Sequence, residues 1–257
     1  MTIGIDRAIE VFVRGFSFTR SFTHPYAPER IGPLWVVRDG PRKNANDYRR
    51  EEWVAHGVTP TEVDRIARLR TRGSFAVCAF HPINKDDAAL RDGYKSLGYR
   101  LGCTEPVMVH DLVRVPRCAS PAVIERVTTP AMAERVAKYA RSRQLLPEHL
   151  TDLDRARVRQ YVALIDGEIV GRVGSIVTPV SDALSRVAGT WCSNMHVVPE
   201  FRRRGIARAM LCRMLRDDRA GGAPVAVLTA SHVGAKLYPV VGYRQIATLY
   251  LFTPRKR

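Results

Sequence analysis

A run of three arginines followed by a glycine occurs in residues 197–207, VVPEFRRRGIA. The run follows an alternating segment, residues 190–196, and precedes a segment whose apolar residues recur at helical spacing. The pattern therefore predicts a strand, a basic loop and the start of a helix. The first N–H groups of a helix lack internal partners and carry a positive partial charge, so such a junction binds anions. The stretch predicts a site for a phosphate group.

A second stretch with a side chain that could take part in a reaction is residues 234–243, GAKLYPVVGY. It follows a predicted buried strand at residues 225–230. Its Tyr238 carries a hydroxyl that stays protonated at neutral pH, because a phenol has a pKa of about 10.

The two stretches together resemble the GNAT acetyltransferase superfamily. Arg202-x-x-Gly205-x-Ala207 fits the R/Q-x-x-G-x-G/A signature of that family, and residues 237–243 fit L-Y-x-x-x-G-F/Y. The resemblance implies an α/β (α+β) fold with a mixed central sheet flanked by helices. It also implies transfer of an acetyl group from acetyl-CoA to a primary amine by direct attack.

The resemblance implies a role for particular residues as well. The backbone N–H of Met195 would polarise the thioester carbonyl, Val197 would hold the pantetheine arm, and Tyr238 would protonate the departing thiolate. Trp191 and Ser193 are weaker candidates for the acceptor pocket. The full set implied to bind the cofactor is Met195, His196, Val197, Arg202, Arg203, Arg204, Gly205, Ile206, Ala207 and Ser231.

The general base is left open by the sequence. Several family members have a glutamate where this chain has Trp191. Ser193 is not a base, and in an ideal strand Asn194 and His196 lie on the face opposite to it. A water chain, Glu148 or Asp152 are the remaining alternatives.

An internal repeat suggests two domains. The apolar segment at residues 75–80, followed by residues 94–99 (YKSLGY), matches the order of the segments at 225–230 and 238–243. No R-x-x-G-x-G/A motif occurs between residues 3 and 72. We therefore interpret residues 1–118 as a shortened, degenerate GNAT-like domain and residues 119–257 as the catalytic GNAT domain with the acetyl-CoA site. Tyr94 is then a packing residue.

Several elements are predicted from local signals. Residues 51–69 are typical of a helix interrupted at 57–60, and Thr129-Pro130 indicates the start of another helix. Asp166-Gly167 predicts a hairpin. Residues 100–111 and 244–252 each predict a pair of strands.

Composition bounds the remaining questions. The formal net charge of +16 comes from 35 Arg and 6 Lys against 25 acidic residues. Such a charge attracts anions, among them coenzyme A and nucleic acid. A tRNA-directed acetyltransferase or a catalytically silent nucleic-acid-binding GNAT protein is therefore the alternative, although the intact motif favours a CoA user.

The cysteines and the hydropathy of the chain set further expectations. The five cysteines, at 78, 103, 118, 192 and 212, show neither zinc-site nor disulfide spacing. No metal is expected, nor is a membrane segment or secretory signal. We expect a cytoplasmic monomer or homodimer.

Overall fold

The computed structural model describes residues 3–180 and 183–255. The chain divides into two compact units. Unit 1 contains residues 1–108, 229–233 and 245–257, and unit 2 contains residues 109–228 and 234–244. Both units are therefore discontinuous in sequence.

The helices and strands alternate along most of the chain. The helices are α1 (Ile5–Arg20), α2 (Pro60–Arg70), α3 (Ala88–Ser96), α4 (Pro130–Ala140) and α5 (Ile206–Ala220). The strands are β1 (Tyr26–Ile31), β2 (Leu34–Asp39), β3 (Glu51–Ala55), β4 (Phe75–Pro82), β5 (Tyr99–His110), β6 (Val123–Arg126), β7 (Val158–Ile165), β8 (Glu168–Val180), β9 (Ala183–Val197), β10 (Ala226–Thr229) and β11 (Arg244–Pro254). No helix in residues 3–180 and 183–255 is long and apolar enough to cross a membrane.

Unit 1 is built on strands in the order β1-β2-β3-β4-β11-β5. The pairing of β3 with β4 is parallel, and the pairings of β1 with β2, of β2 with β3 and of β4 with β11 are antiparallel. The C-terminal strand β11 therefore belongs to the unit formed mainly by the N-terminal half. The domain boundary predicted at residue 118 remains a prediction.

Glu51–Ala55 forms strand β3, so the prediction of a helix there was wrong. The two glutamates are buried and paired with arginines, Glu51 with Arg72 at 3.0 Å and Glu52 with Arg20 at 3.2 Å. These distant partners allow a charged segment to enter a sheet. The second part of the prediction is confirmed, because α2 begins at Pro60.

The predicted strand pairs at 100–111 and 244–252 are each one long strand, β5 and β11. Strand β11 pairs antiparallel with β4 and not with a hairpin partner inside residues 244–252. Tyr94 is a packing residue as predicted: it is fully buried, and its ring stacks on Phe252 with centroids 4.3 Å apart.

Unit 2 is built on strands in the order β10-β9-β8-β7-β6. The predicted hairpin is confirmed, since Ile165 pairs with Glu168 and both turn residues, Asp166 and Gly167, have positive φ. Helix α4 begins at Pro130 as predicted, with the Thr129 side chain accepting from the N–H of Met132. Helix α5 packs against β7, β8 and β9.

A buried carboxylate fixes α5 on the sheet. Asp218 is fully buried and accepts hydrogen bonds from Arg159 (3.1 Å), Ser175 (2.7 Å) and Thr190 (2.9 Å). Ser175 lies on β8 and Thr190 on β9, so this face of the sheet is the one that α5 covers. The network holds the helix whose N-terminus is the candidate phosphate site.

Replacing Asp218 with alanine is expected to lower the free energy of unfolding by about 3–5 kcal/mol, because the nearly buried Arg159 would lose its only ion-pair partner in the described chain. Urea unfolding measures the change. The control is the exposed Asp154→Ala, which should stay within about 0.5 kcal/mol of the parent. Equal stability of the two variants would contradict the role given to Asp218.

Candidate active site

The basic loop connects β9 to α5 as the sequence predicts. Strand β9 ends at Val197, a short 3-10 turn covers Pro199–Phe201, and α5 begins at Ile206. Arg203 and Gly205 both adopt positive φ, +65° and +80°. The backbone N–H of Val198 donates to Val170 O at 2.9 Å, which ties the loop to β8.

The N-terminus of α5 has the properties of an anion site. Gly205 is the N-cap residue and provides no side chain to satisfy the first N–H groups. The first turn contains no acidic residue, and Arg203 and Arg204 are exposed beside it. The Arg202 Nε donates to Val197 O at 2.9 Å and so closes the loop from inside. Backbone donors at Ile206 and Ala207 therefore remain for a phosphate.

The equivalent junction in unit 1 lacks these properties. Helix α2 also connects two parallel strands, β3 and β4, but its N-cap Thr59 accepts from the N–H of Glu62. Pro60 has no N–H, and the Glu62 carboxylate in the first turn repels anions. The physical chemistry therefore favours a phosphate at α5 over α2.

Strand β9 contains a bulge next to the loop. Arg172 pairs with His196 and Gly174 with Ser193, so Val173 faces two residues, Asn194 and Met195, in the opposite strand. Asn194 has a φ of +56°. The parallel pairing with β10 covers only Thr190 and Trp191 among the described residues. Met195 thus has no Cα partner in the described pairings of β9 with β8 and with β10.

The bulge reverses one prediction about the faces of β9. Every second residue of β8 lies on the same face, so Arg172, Gly174 and Ile176 share one face. Residues paired across two strands also lie on the same face, so their partners His196, Ser193 and Trp191 share it too. The prediction that His196 lies opposite to Ser193 was wrong, since it assumed an unbroken strand. Ser175 and its neighbours face α5, so these three residues face the other side of the sheet.

A polar cluster surrounds His196 on that side. Tyr139 of α4 places its Oη 2.8 Å from His196 Nδ1. Burial and the nearby guanidinium groups of Arg172 and Arg202 lower the pKa of His196 below its ordinary value of 6.5. The imidazole is therefore neutral at pH 7 and can accept a proton.

Gln144 connects two further members of the cluster. Its Oε1 accepts from Arg172 Nη1 at 2.9 Å and from Asn194 Nδ2 at 3.1 Å. Tyr139, Gln144 and Arg172 were not identified from the sequence, because they are distant from the motifs and only the fold brings them to β9. The single local signal for the bulge in β9 was Asn194, because asparagine tolerates positive φ better than most residues.

Tyr238 lies on the α5 side of the sheet. It is buried in a 3-10 turn, Tyr238–Val241, and its ring packs edge-on against Tyr243 with centroids 5.6 Å apart. Burial, and secondarily Cys192, raise the pKa of Tyr238, which keeps its hydroxyl protonated. Cys192 pairs with Ser175 and so faces α5. The histidine and the tyrosine therefore belong to opposite faces of β9.

The structure places the other candidates as follows. Trp191 is buried, Ser193 is half-buried, and Ser231 is exposed in a loop of unit 1. Glu148 and Asp152 are exposed, and Asp152 accepts from the N–H of Arg155 in its own loop. Within the described residues, no three His, Cys, Asp or Glu side chains cluster as metal ligands would.

Comparison with protein families identifies this region. Residues 130–246 match the model of the acetyltransferase (GNAT) domain. The matched residues contain the basic loop, the bulged strand and Tyr238, so both sequence signatures lie inside the region that is similar to this domain. A comparison with curated proteins finds no match.

Solved structures share the fold of most or all of the chain. A GCN5-related N-acetyltransferase from Kribbella flavida is 15% identical with a TM-score of 0.65, covering 100% of this chain and 98% of that chain. One from Sphaerobacter thermophilus is 19% identical with a TM-score of 0.54, covering 86% and 76%. A tandem GNAT protein from the clavulanic acid biosynthesis pathway is 13% identical with a TM-score of 0.54, covering 87% and 80%. At these identities the likeness is one of fold.

Proposed function

We propose that the chain is an N-acetyltransferase that moves an acetyl group from acetyl-CoA to a primary amine by direct attack. The observation that supports this most strongly is the junction of bulged β9 with the uncapped N-terminus of α5 inside the region that is similar to the GNAT domain. The junction offers backbone N–H groups and arginines to a pyrophosphate, and next to them lies the bulged segment of β9.

The residues present fit acetyl-CoA. The N–H groups of Ile206 and Ala207, with Arg203 and Arg204, would hold the pyrophosphate, and Val197 would lie along the pantetheine arm. When bound, acetyl-CoA supplies the thioester carbonyl that the amine attacks. The N–H of Met195 would donate to the oxygen of that carbonyl as negative charge develops, which is where fixed donors act best.

Proton transfers are assigned to the two faces of β9. On the α4 side, His196 Nε2 takes a proton from the attacking amine while Nδ1–H donates to Tyr139 Oη. On the α5 side, the Tyr238 hydroxyl gives its proton to the departing sulfur. The arrangement lets the amine arrive on one face and the thiol leave on the other.

The proposal is tested by mixing the purified full chain with acetyl-CoA and a panel of primary amines and measuring released thiol. Amine-dependent thiol release supports it. If no amine raises the rate above hydrolysis, the chain is not an N-acetyltransferase for the classes tested. Salt-dependent tRNA binding without thiol release would instead favour the nucleic-acid-directed alternative.

We expect the parent to bind one acetyl-CoA per chain. The Gly205→Asp and Arg204→Glu variants should each bind acetyl-CoA with at least tenfold lower affinity. A carboxylate there meets the pyrophosphate at short range, and about 1.4 kcal/mol corresponds to a factor of ten. A Cβ at residue 205 would lie 3.7 Å from Ala119 O, so space does not forbid the substitution. Calorimetry on the full chain gives both stoichiometry and affinity.

The control is Gly205→Asn, which has the shape of aspartate without the charge and tolerates the φ of +80°. It should bind acetyl-CoA more tightly than Gly205→Asp. Two equivalent sites in the parent chain would contradict the assignment to α5 alone. Separated halves are unsuitable for this test, because residues 1–118 lack strand β11.

A further inference from the structure

Arg172 is a charged side chain without a compensating carboxylate. It lies half-buried on β8, and no acidic residue of the described chain is within ion-pairing distance of it. Arg159, on the α5 side of the same sheet, shows the usual arrangement, because it pairs with the buried Asp218. Burial lowers the pKa of Arg172, which reflects the cost of holding its charge away from water.

The hydrogen bonds of Arg172 leave part of the guanidinium unused. Nη1 donates to Gln144 Oε1, a neutral acceptor that also binds Asn194. Nε is buried without a partner, and Nη2 makes no hydrogen bond among the described residues. A buried donor without an acceptor costs free energy, and such groups are uncommon in folded proteins. Gln144 thus orients the guanidinium without neutralising it.

The position of Arg172 relates it to the acceptor. It pairs directly with His196 across β8 and β9, and it shares its face with Trp191 and Ser193. Side chains directly opposite each other in such a pair have their Cβ atoms about 4.5–5.5 Å apart. Under the proposed mechanism, the amine arrives on this face. A group attached to the acceptor a few bonds from its amine would therefore meet the guanidinium.

We propose that the acceptor is a small amine that also carries a carboxylate, such as an amino acid, and that Arg172 binds this carboxylate. The inference rests on the proposed function. A carboxylate would compensate the charge that the protein leaves unpaired, and arginine is well suited to this partner. A polyamine or another acceptor with several positive charges would meet repulsion from Arg172 and Arg202.

The test compares acceptors that differ only in the carboxylate. L-α-amino acids and short ω-amino acids are assayed beside their carboxamides, with the full chain, acetyl-CoA and released thiol as the readout. The parent should prefer the acid member of the best pair by about 10- to 100-fold in kcat/KM, as expected for a charged hydrogen bond. Equal rates for acid and amide, or a preference for the amide, would overturn the inference while the transferase proposal stands.

Variants of Arg172 test whether this side chain causes the preference for the acid over the amide. Arg172→Gln should lose the preference for the acid, so that the ratio of kcat/KM for the acid to kcat/KM for the amide falls to about one, with an unchanged KM for acetyl-CoA. The ratio is the readout because a change in the pKa of His196 affects both acceptors alike. Arg172→Lys should retain part of the preference. Arg219→Gln, an exposed arginine at the end of α5, is the control and should behave as the parent. A preference that survives in Arg172→Gln, or a loss confined to acetyl-CoA, overturns the inference.

A binding measurement separates the two proposals. Calorimetry with N-acetyl amino acids, the products of such a reaction, is performed in the presence of CoA and requires no turnover. Binding by the parent that Arg172→Gln weakens about tenfold or more supports the carboxylate site even if no amine is acetylated. Equal binding, or none, by the parent and the variant counts against it. Melting curves confirm that both proteins are folded.

Discussion

Replacing His196 with glutamine is expected to lower kcat about 100-fold, the lower end of the range for a general base. Glutamine cannot take the proton of the attacking amine, although it is similar in size. Burial, and after it the neighbouring guanidinium groups of Arg172 and Arg202, lower the pKa of His196, so the parent holds a neutral base at pH 7. The measurement is kcat at saturating substrates from pH 5 to 9.

The pH profile distinguishes a base from a structural residue. The parent should lose activity as the pH falls through the pKa of His196, which lies below the ordinary value of 6.5, and His196→Gln should lack that acid limb. Tyr139→Phe removes the hydroxyl 2.8 Å from Nδ1 and should lower kcat by a smaller factor. The control is His81→Gln in unit 1, with unchanged kcat. A variant at residue 196 that keeps both kcat and the acid limb would rule out this assignment.

Replacing Tyr238 with phenylalanine should also lower kcat about 100-fold while leaving the KM for acetyl-CoA nearly unchanged. The hydroxyl is proposed to act on the sulfur as it leaves and not on the bound cofactor. Since burial raises the pKa of Tyr238, the phenol is protonated throughout pH 6–9 and the loss should be independent of pH. Steady-state kinetics over that range, with a melting curve, measure the effect.

Tyr243→Phe is the matched control for this variant. Tyr243 packs against Tyr238 and its hydroxyl is buried without a hydrogen-bond partner in the described chain. Removing that hydroxyl should leave kcat unchanged and not destabilise the fold, because no bond is lost. If both variants behaved alike, Tyr238 would be a core residue and the thiolate would leave without its help.

Short-range signals in the sequence were sufficient to predict the structure of the basic loop. The glycine at residue 205, the arginines before it and the apolar spacing after it all act within one turn of the chain, and the structure shows the predicted strand, loop and helix. The hairpin at Asp166-Gly167 and the helix starts at Pro60 and Pro130 have the same basis. Turns and helix caps are local interactions, so the residues that form them are neighbours in sequence.

Strands required information from distant parts of the chain. In the sequence, Glu51 and Glu52 are typical of an exposed helix. In the structure they lie in a sheet, where Arg72 and Arg20 pair with their charges. Strand β11 was expected to pair with its own neighbour and instead lies beside β4, which is more than 160 residues away. A strand satisfies its backbone only through a partner, and the sequence of one strand does not name that partner.

The side chains of the proposed acceptor site are brought together by the tertiary structure alone. One extra residue at Asn194 turns His196 to the face of Trp191 and Ser193, and α4 then brings Tyr139 to its ring. The sequence by itself determined the strand, loop and helix start of the proposed phosphate site, because a helix start is a local structure. Only the fold decided which side chains meet at the proposed acceptor site, because a bulge shifts every later residue of a strand to the other face.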